Sequence, residues 1–209
     1  MSGRRAQAAR NNERILESAR AVFVEDPGAP ISAVAKRAGV GISALYGRYA
    51  SKEELLRKLA GDGLRRFVAQ LETALEDNSD PWTVFARFLR AAVDADTSSL
   101  TLALAGTFTP TPQLNENANR SAELFERFFD RMKDADVLRD DLVVHDLSLC
   151  LQMVAAVRTS DKKRQRELRH RYLTMLMESM KKPGAPDRAP LPAAPPTWAE
   201  MTERWAPLQ

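Results

Sequence analysis

Between Ser32 and Lys52 the chain concentrates side chains able to grip a polyanion and almost none able to do covalent chemistry. Ser43, Tyr46 and Tyr49 offer hydroxyls, Lys36, Arg37, Arg48 and Lys52 offer cations, and Gly41, Ala44 and Gly47 add little bulk between them. Such a set hydrogen-bonds phosphate oxygens and reads base edges. Ser43 can meet a base or a phosphate, Ala44 a thymine methyl, and Tyr46, Arg48, Tyr49 and Lys52 the sugar-phosphate strand. Ser32, and the amides of a helix opened by Ser51, add further donors. Elsewhere the catalytic inventory is thin. His145 and His170 stand apart, and the one cysteine, Cys150, lies in an apolar run. No disulfide and no metal set can be built from them. There is no nucleophile elbow, phosphate loop or dinucleotide fingerprint. No catalytic residue, metal or cofactor is expected, and Cys150 reads as a buried structural thiol.

Charge restricts where a polyanion can sit. The 209 residues carry a net charge of +3, unevenly spread. Residues 1–66 hold 13 Lys and Arg against 7 Asp and Glu, residues 67–161 hold 8 against 16, and residues 162–209 hold 10 against 5. A basic head on an acidic middle suits a protein that meets phosphates only at one end. The N-terminus is basic and polar with no apolar stretch behind it, and no apolar run reaches spanning length. A cytoplasmic protein without membrane contact is expected.

The elements that position these residues are all helical. Residues 1–9 read as a flexible basic arm, with Asn12 capping a first helix through Ile15, Ala19 and Phe23. Pro27 and Pro30 end it. Ser32 reads as the cap of a second helix through Ala38, Gly39 as its stop, and residues 42–49 as a third helix. Val34, Ala38, Val40, Ile42 and Leu45 are the expected core of this trio, with Tyr49 the ring that turns inward. Ser51 and Glu54 form a capping box that opens a long helix leading out of the head. Helices are then expected at 81–94, 98–108, 113–135, 140–158 and 163–180, with Leu138 and Arg139 in a loop. Lys181–Gln209 holds seven of the twelve prolines and a capping box at Thr197, with Trp198, Met201 and Trp205 at helical spacing. The fold class is all-α: a three-helix helix-turn-helix head and a helical ligand-binding and dimerisation domain, about nine main helices. The domain reading is 1–9 arm, 10–55 DNA-binding head, 56–182 sensing and dimerisation body, and 183–209 Pro-rich tail with a short helix.

The segment from Ile31 to Leu56, with Gly39-Val40-Gly41 at its turn and Tyr46, Tyr49, Lys52 and Glu53 after it, resembles the signature of the TetR family of bacterial regulators. The likeness runs upstream through Phe23, Ala19 and Ile15, so it spans about residues 10–59. It implies a homodimer on a palindromic operator in double-stranded DNA, acting as a repressor relieved by a small-molecule effector. An activator or a ligand-independent regulator fits the same residues. The resemblance implies backbone contacts near Tyr46, Arg48 and Lys52 and base contacts at Ser43 and Ala44. Gly41 departs from the family's usual Ser or Thr cap, and Gly47 from a larger residue. The run Val137-Leu138-Arg139-Asp140-Asp141, with the Pro-rich end, is similar to a subgroup common in actinobacteria.

Two sets of residues remain as expectations for the body. An effector cavity is expected among Trp82, Phe85, Phe88, Leu89, Leu104, Thr107, Phe108, Phe125, Phe128, His145, Leu149, Gln152 and Met153, mostly apolar with a few orienting polar groups. A dimer face is expected from the last two long helices, through Leu142, Leu149, Met153, Val157, Leu168, Tyr172, Met175 and Leu176, packing as a four-helix bundle.

Overall fold

The computed structural model describes residues 2–159, 161–182 and 198. Among them nine helices follow in order: α1 Ser2–Glu25, α2 Ile31–Ala38, α3 Ile42–Tyr46, α4 Lys52–Glu76, α5 Pro81–Asp94, α6 Thr97–Leu104, α7 Pro112–Asp134, α8 Val144–Ala155 and α9 Lys162–Met180. The all-α class and its helical head are therefore observed. The capping box at Thr197, with Met201 and Trp205, lies outside the described residues.

Helix ends differ from the sequence expectation where side-chain bonds take over. The backbone of residues 2–9 is the start of α1 rather than an arm. Alanine, arginine and glutamine dominate that stretch, and all are strong helix formers. Asn12 is thus inside α1. Pro30, in extended conformation, takes the cap position of α2, so Ser32 is not a cap. α3 stops at Tyr46 instead of residue 49. α6 ends at Leu104 because Gly106 turns the chain at φ 71°. α8 begins only at Val144: Lys133 Nζ holds the carbonyls of Arg139 (2.8 Å) and Asp140 (2.7 Å), and Asp146 takes the Val143 amide at 3.0 Å. Leu138 forms a short antiparallel bridge with Lys181 rather than lying in a loop.

Two apolar cores result. The first gathers Ile15, Ala19 and Phe23 of α1, Ile31, Val34, Ala35 and Ala38 of α2, Leu45 of α3, and Leu55, Leu56 and Leu59 of α4. Leu100 and Leu104 of α6 join it. The second lies among α4, α5, α7, α8 and α9 and is rich in phenylalanine, with Phe88 and Phe128 ring centres 4.6 Å apart. α4 belongs to both cores and is the continuous rod between them.

Polar ties hold the junction of the two cores. Arg20 of α1 donates to the Ala95 carbonyl at 2.7 Å, and Arg158 donates to Val24 at 2.8 Å. Arg169 of α9 is buried and reaches four acceptors: Asp96, Ser99 Oγ at 3.0 Å, and the carbonyls of Ala155 at 2.7 Å and Val157 at 3.1 Å. Asp96 itself sits at φ 52° between α5 and α6. A charged group this deep is stable only with its donors satisfied, and here the acceptors come from the start of α6 and the end of α8. Among the described residues no helix is long and apolar enough to cross a membrane, and no three metal-ligating side chains come together.

Candidate nucleic-acid interface

The turn between α2 and α3 is fixed by backbone conformation. Gly39 adopts φ 64°, ψ 38°, the left-handed form that costs an L-residue with a side chain about 1–2 kcal/mol. Its amide donates to Lys36 at 3.2 Å and the Val40 amide to Ala35 at 3.1 Å, closing the C-terminus of α2. Arg14 of α1 completes the closure by donating to the Ala38 carbonyl at 2.8 Å. Val40 is half-buried against the head core, as expected of the inward residue of the turn.

α3 is then presented with one face outward. Leu45 is fully buried and pins the helix, while Ser43, Ala44, Gly47 and Arg48 are exposed. Gly41 precedes the helix in extended conformation, and a Cβ there would meet nothing within 4 Å. Two large apolar groups accompany this surface. Tyr46 is 49% exposed and Ile42 is 40% exposed. Ile42 was expected in the core. It faces water instead because α3 is a five-residue helix anchored by Leu45 alone. A folded chain rarely leaves two such side chains side by side on a short helix without a surface for them to meet. Sequence reasoning placed Ile42 in the core, and only the register of α3 shows it exposed beside Tyr46.

Tyr49 and Lys52 both bond within the head. Tyr49 is buried, as the inward ring was expected to be, and its hydroxyl donates to Asn12 Oδ1 at 2.8 Å, leaving no hydroxyl proton for a phosphate. Burial pushes its ionisation above the usual tyrosine range. Lys52 turns back onto its own domain, donating to the Pro27 carbonyl at 3.0 Å with its ammonium 5.1 Å from the centre of the Phe23 ring. The cap at Ser51 is present: its Oγ accepts from Glu54 N at 3.1 Å, and Glu54 reaches back to the Ala50 amide at 2.7 Å. Ser32, Lys36 and Arg37 are exposed on the outer side of α2.

The residues expected to line an effector cavity come together only in part. Phe85, Phe88, Phe125 and Phe128 stack on one another in the body core, where Leu89 is also buried. Trp82 lies against Phe85 and under Lys181 Nζ, 4.8 Å from the ring centre. Leu104 and Phe108 instead join the head core, and the Thr107 hydroxyl is spent on the Leu104 carbonyl at 2.8 Å. The His145 ring lies beside that of Trp198, with centres 6.1 Å apart. Leu149 and Gln152 are half-buried and Met153 is 61% exposed on α8. The 3.6-residue period of α5, α7 and α8 places apolar residues inward but does not say which of them face each other.

The expected dimer residues divide as well. Leu142 is buried within its own chain. Met153 of α8 and Tyr172 and Met175 of α9 are exposed, with Leu149, Val157, Leu168 and Leu176 half-buried around them. Leu168, Tyr172 and Met175 fall at helical spacing on one stripe of α9.

Comparison with known proteins agrees with this geometry. Residues 15–59 match the model of bacterial regulatory proteins of the tetR family. Over 82% of this chain and 97% of the other, the structure is similar to the TetR-like transcriptional regulator LfrR of Mycobacterium smegmatis, at 19% identity and a TM-score of 0.61. The ketosteroid transcriptional regulator KstR2 of Mycobacterium tuberculosis matches over 83% and 96%, at 19% identity and a TM-score of 0.61. A TetR regulatory protein of Mycobacterium vanbaalenii matches over 85% and 98%, at 22% identity and a TM-score of 0.55. No curated protein sequence matches the chain. The chain thus has the fold of the TetR family transcriptional regulators, a class of DNA-binding regulatory proteins. Similar structures also come from Thermus thermophilus, so the likeness identifies the family fold and no actinobacterial subgroup.

Proposed function

We propose that the chain is a sequence-specific transcriptional repressor that binds a palindromic operator in double-stranded DNA as a homodimer and releases it when a small molecule binds the body. One observation carries the reading. The outward face of α3 offers Ser43 and Ala44 flanked by exposed Ile42 and Tyr46, on a helix held by a glycine-closed turn. A face of small residues lets α3 enter a major groove, and Ala44 and Ile42 suit thymine methyls. Ser32, Lys36, Arg37, Gly41 and Arg48 surround it and suit phosphates. Lys52 joins them once its bond to Pro27 is exchanged for a phosphate, and Tyr49 serves as the brace that holds α3 through Asn12.

The homodimer reading is supported by the exposed stripe of Met153, Tyr172 and Met175 on α8 and α9. Pairing two such hairpins buries that stripe and sets two heads one DNA turn apart, about 34 Å. In this reading the head is residues 10–55, the body 56–182, and the protein acts in the cytoplasm. The solved regulator that was crystallised with proflavine shares the fold, which supports a ligand-responsive body.

Selection of bound genomic fragments by the purified protein tests the proposal. A recovered site with two-fold symmetry and half-sites one turn apart supports it. Equal retention of all duplexes at each salt concentration overturns it.

A further inference from the structure

The first helix is longer than the head needs. Its earliest core residue is Ile15, yet α1 begins at Ser2. Four bonds give its direction. Near its C-terminus, Arg20 donates to the Ala95 carbonyl and the Val24 carbonyl accepts from Arg158, both partners lying in the body. Nearer its N-terminus, Arg14 donates to Ala38 at the end of α2, and Asn12 accepts from Tyr49, just beyond α3. α1 thus runs from the body to the α2–α3 turn, read backwards along the chain. Residues 2–11 continue past that point, about 15 Å of further helix at 1.5 Å per residue. Asn12, Ile15 and Ala19 mark the face of α1 turned toward the head. Positions 4, 5 and 8 carry that face on, at helical spacing, beyond the last head residue it meets.

The overhang has a one-sided chemistry. Arg4, Arg5 and Arg10 lie in it, and no acidic residue precedes Glu13. No large apolar side chain stands between Ser2 and Asn12, so it has nothing to lay into an apolar groove or a lipid surface. Ala6, Gln7, Ala9 and Arg10 are exposed. Arg10 donates to Gln7 at 2.8 Å and Gln7 to Asn11 at 3.1 Å, exposed bonds along the helix that a phosphate can replace. The chemistry suits a polyanion, and the surface it continues is that of α3.

We infer that this overhanging part of α1 lies on the sugar-phosphate backbone of the duplex that α3 reads, on phosphates outside the groove that α3 occupies. The inference rests on the DNA-binding reading above. The helical state decides the mode. A helix with its side chains is about 10–12 Å across and the minor groove about 6 Å wide, so this rod cannot enter that groove as an extended arm can. Its contacts are to phosphate oxygens, which carry no sequence information. The overhang adds affinity and salt dependence and leaves base preference to α3.

Retention of a selected genomic fragment is measured across salt concentrations for the full chain, for the triple variant Arg4→Gln, Arg5→Gln, Arg10→Gln, and for its Arg→Lys counterpart. Glutamine keeps the helix propensity, and circular dichroism and melting check the fold. Each phosphate neutralised contributes about 0.9 to the slope of log affinity against log salt. The glutamine variant is expected to lose about 2–3 of that slope for each bound head and to bind at least ~10-fold more weakly at about 0.1 M salt. The lysine variant keeps the parent's slope, and both variants select the parent's site. Hydroxyl-radical footprinting is expected to show sugars outside the α3 groove losing protection in the glutamine variant alone. Should that triple variant fail to fold, Arg4→Gln with Arg5→Gln takes its place. A glutamine variant with the parent's slope and footprint overturns the inference, as does a lysine variant that loses slope or a change in the selected site. A parent that prefers no duplex removes the proposed function and this contact with it. A parent that holds its fragment no better than the glutamine variant removes only the overhang's role.

Discussion

Arg169 offers the sharpest test of how the body is coupled to the head. The residue is 5% exposed, and its guanidinium donates to Asp96, Ser99 Oγ, and the carbonyls of Ala155 and Val157. Asp96 and Ser99 open α6, and α6 carries Leu100 and Leu104 into the head core. Arg169→Met keeps the apolar stem and removes every donor. The Asp96 side chain is 31% exposed, so water recovers much of what its carboxylate loses, and the ion pair itself contributes little. Ser99 Oγ keeps its own long bond to the Ala155 carbonyl at 3.4 Å, but the Val157 carbonyl loses its Arg169 donor, and an orphaned acceptor costs about 1–3 kcal/mol. Breaking a buried, partnered charge costs about 3–5 kcal/mol, and partial rehydration of Asp96 places this case near the lower end, about 3 kcal/mol. For a chain of this size each kcal/mol lowers Tm by about 2–4 °C, so a drop near 10 °C is expected. Urea unfolding and calorimetry at one fixed protein concentration measure it, because self-association of the kind proposed above would make Tm concentration-dependent. Arg169→Lys should recover only part of the loss, since an ammonium cannot serve four spread acceptors. A loss below 1 kcal/mol for Arg169→Met would show that α6 is held by apolar contact alone, and the polar junction would lose its role.

Four other outcomes follow from the geometry. Gly39→Ala should destabilise by about 1–2 kcal/mol in chemical denaturation, because φ 64° is strained for any side chain and the new Cβ stands 3.2 Å from Arg14; an unchanged midpoint counts against the turn as drawn. Tyr46→Ala should weaken DNA binding with little change in Tm, while Tyr49→Phe should cost about 1 kcal/mol of stability through the lost Asn12 bond and leave fragment affinity of the folded protein nearly unchanged; the reverse pattern in binding and melting assays would exchange their roles. Replacing Met153 and Tyr172 by Asp should shift sedimentation toward the monomer, with the helical signal retained, and a dimer that survives both changes would move the interface elsewhere. Burial, followed by the nearby Asp146 carboxylate, raises the Cys150 thiol above its ordinary value, so alkylation at pH 8 should be slower than for a free thiol and accelerate in denaturant. Equal rates in both conditions would contradict the burial.

The helix-turn-helix was legible because it is local. A glycine that alone tolerates a left-handed turn, a Ser–Glu capping box, and apolar residues at helical spacing all act within a few residues of one another, and Gly39, Ser51, Glu54 and Leu45 stand in the roles their types predict. The all-α class was equally readable from periodicity. The effector residues were not, since period fixes which face of a helix is buried but not which helix it meets. Phe108 and Leu104 went to the head core and Phe85 to the body core on that account. Likewise Lys52 and Tyr49 have the right chemistry for phosphate, yet their partners, Pro27 and Asn12, come from elements brought alongside only by the fold. The four acceptors of Arg169 belong to the same class of fact. Residue type and spacing settle the backbone's local conformation, because those energies are summed over neighbours in sequence. Which polar group is paired, and which is left waiting, is decided by atoms distant in the chain, and so only by tertiary structure.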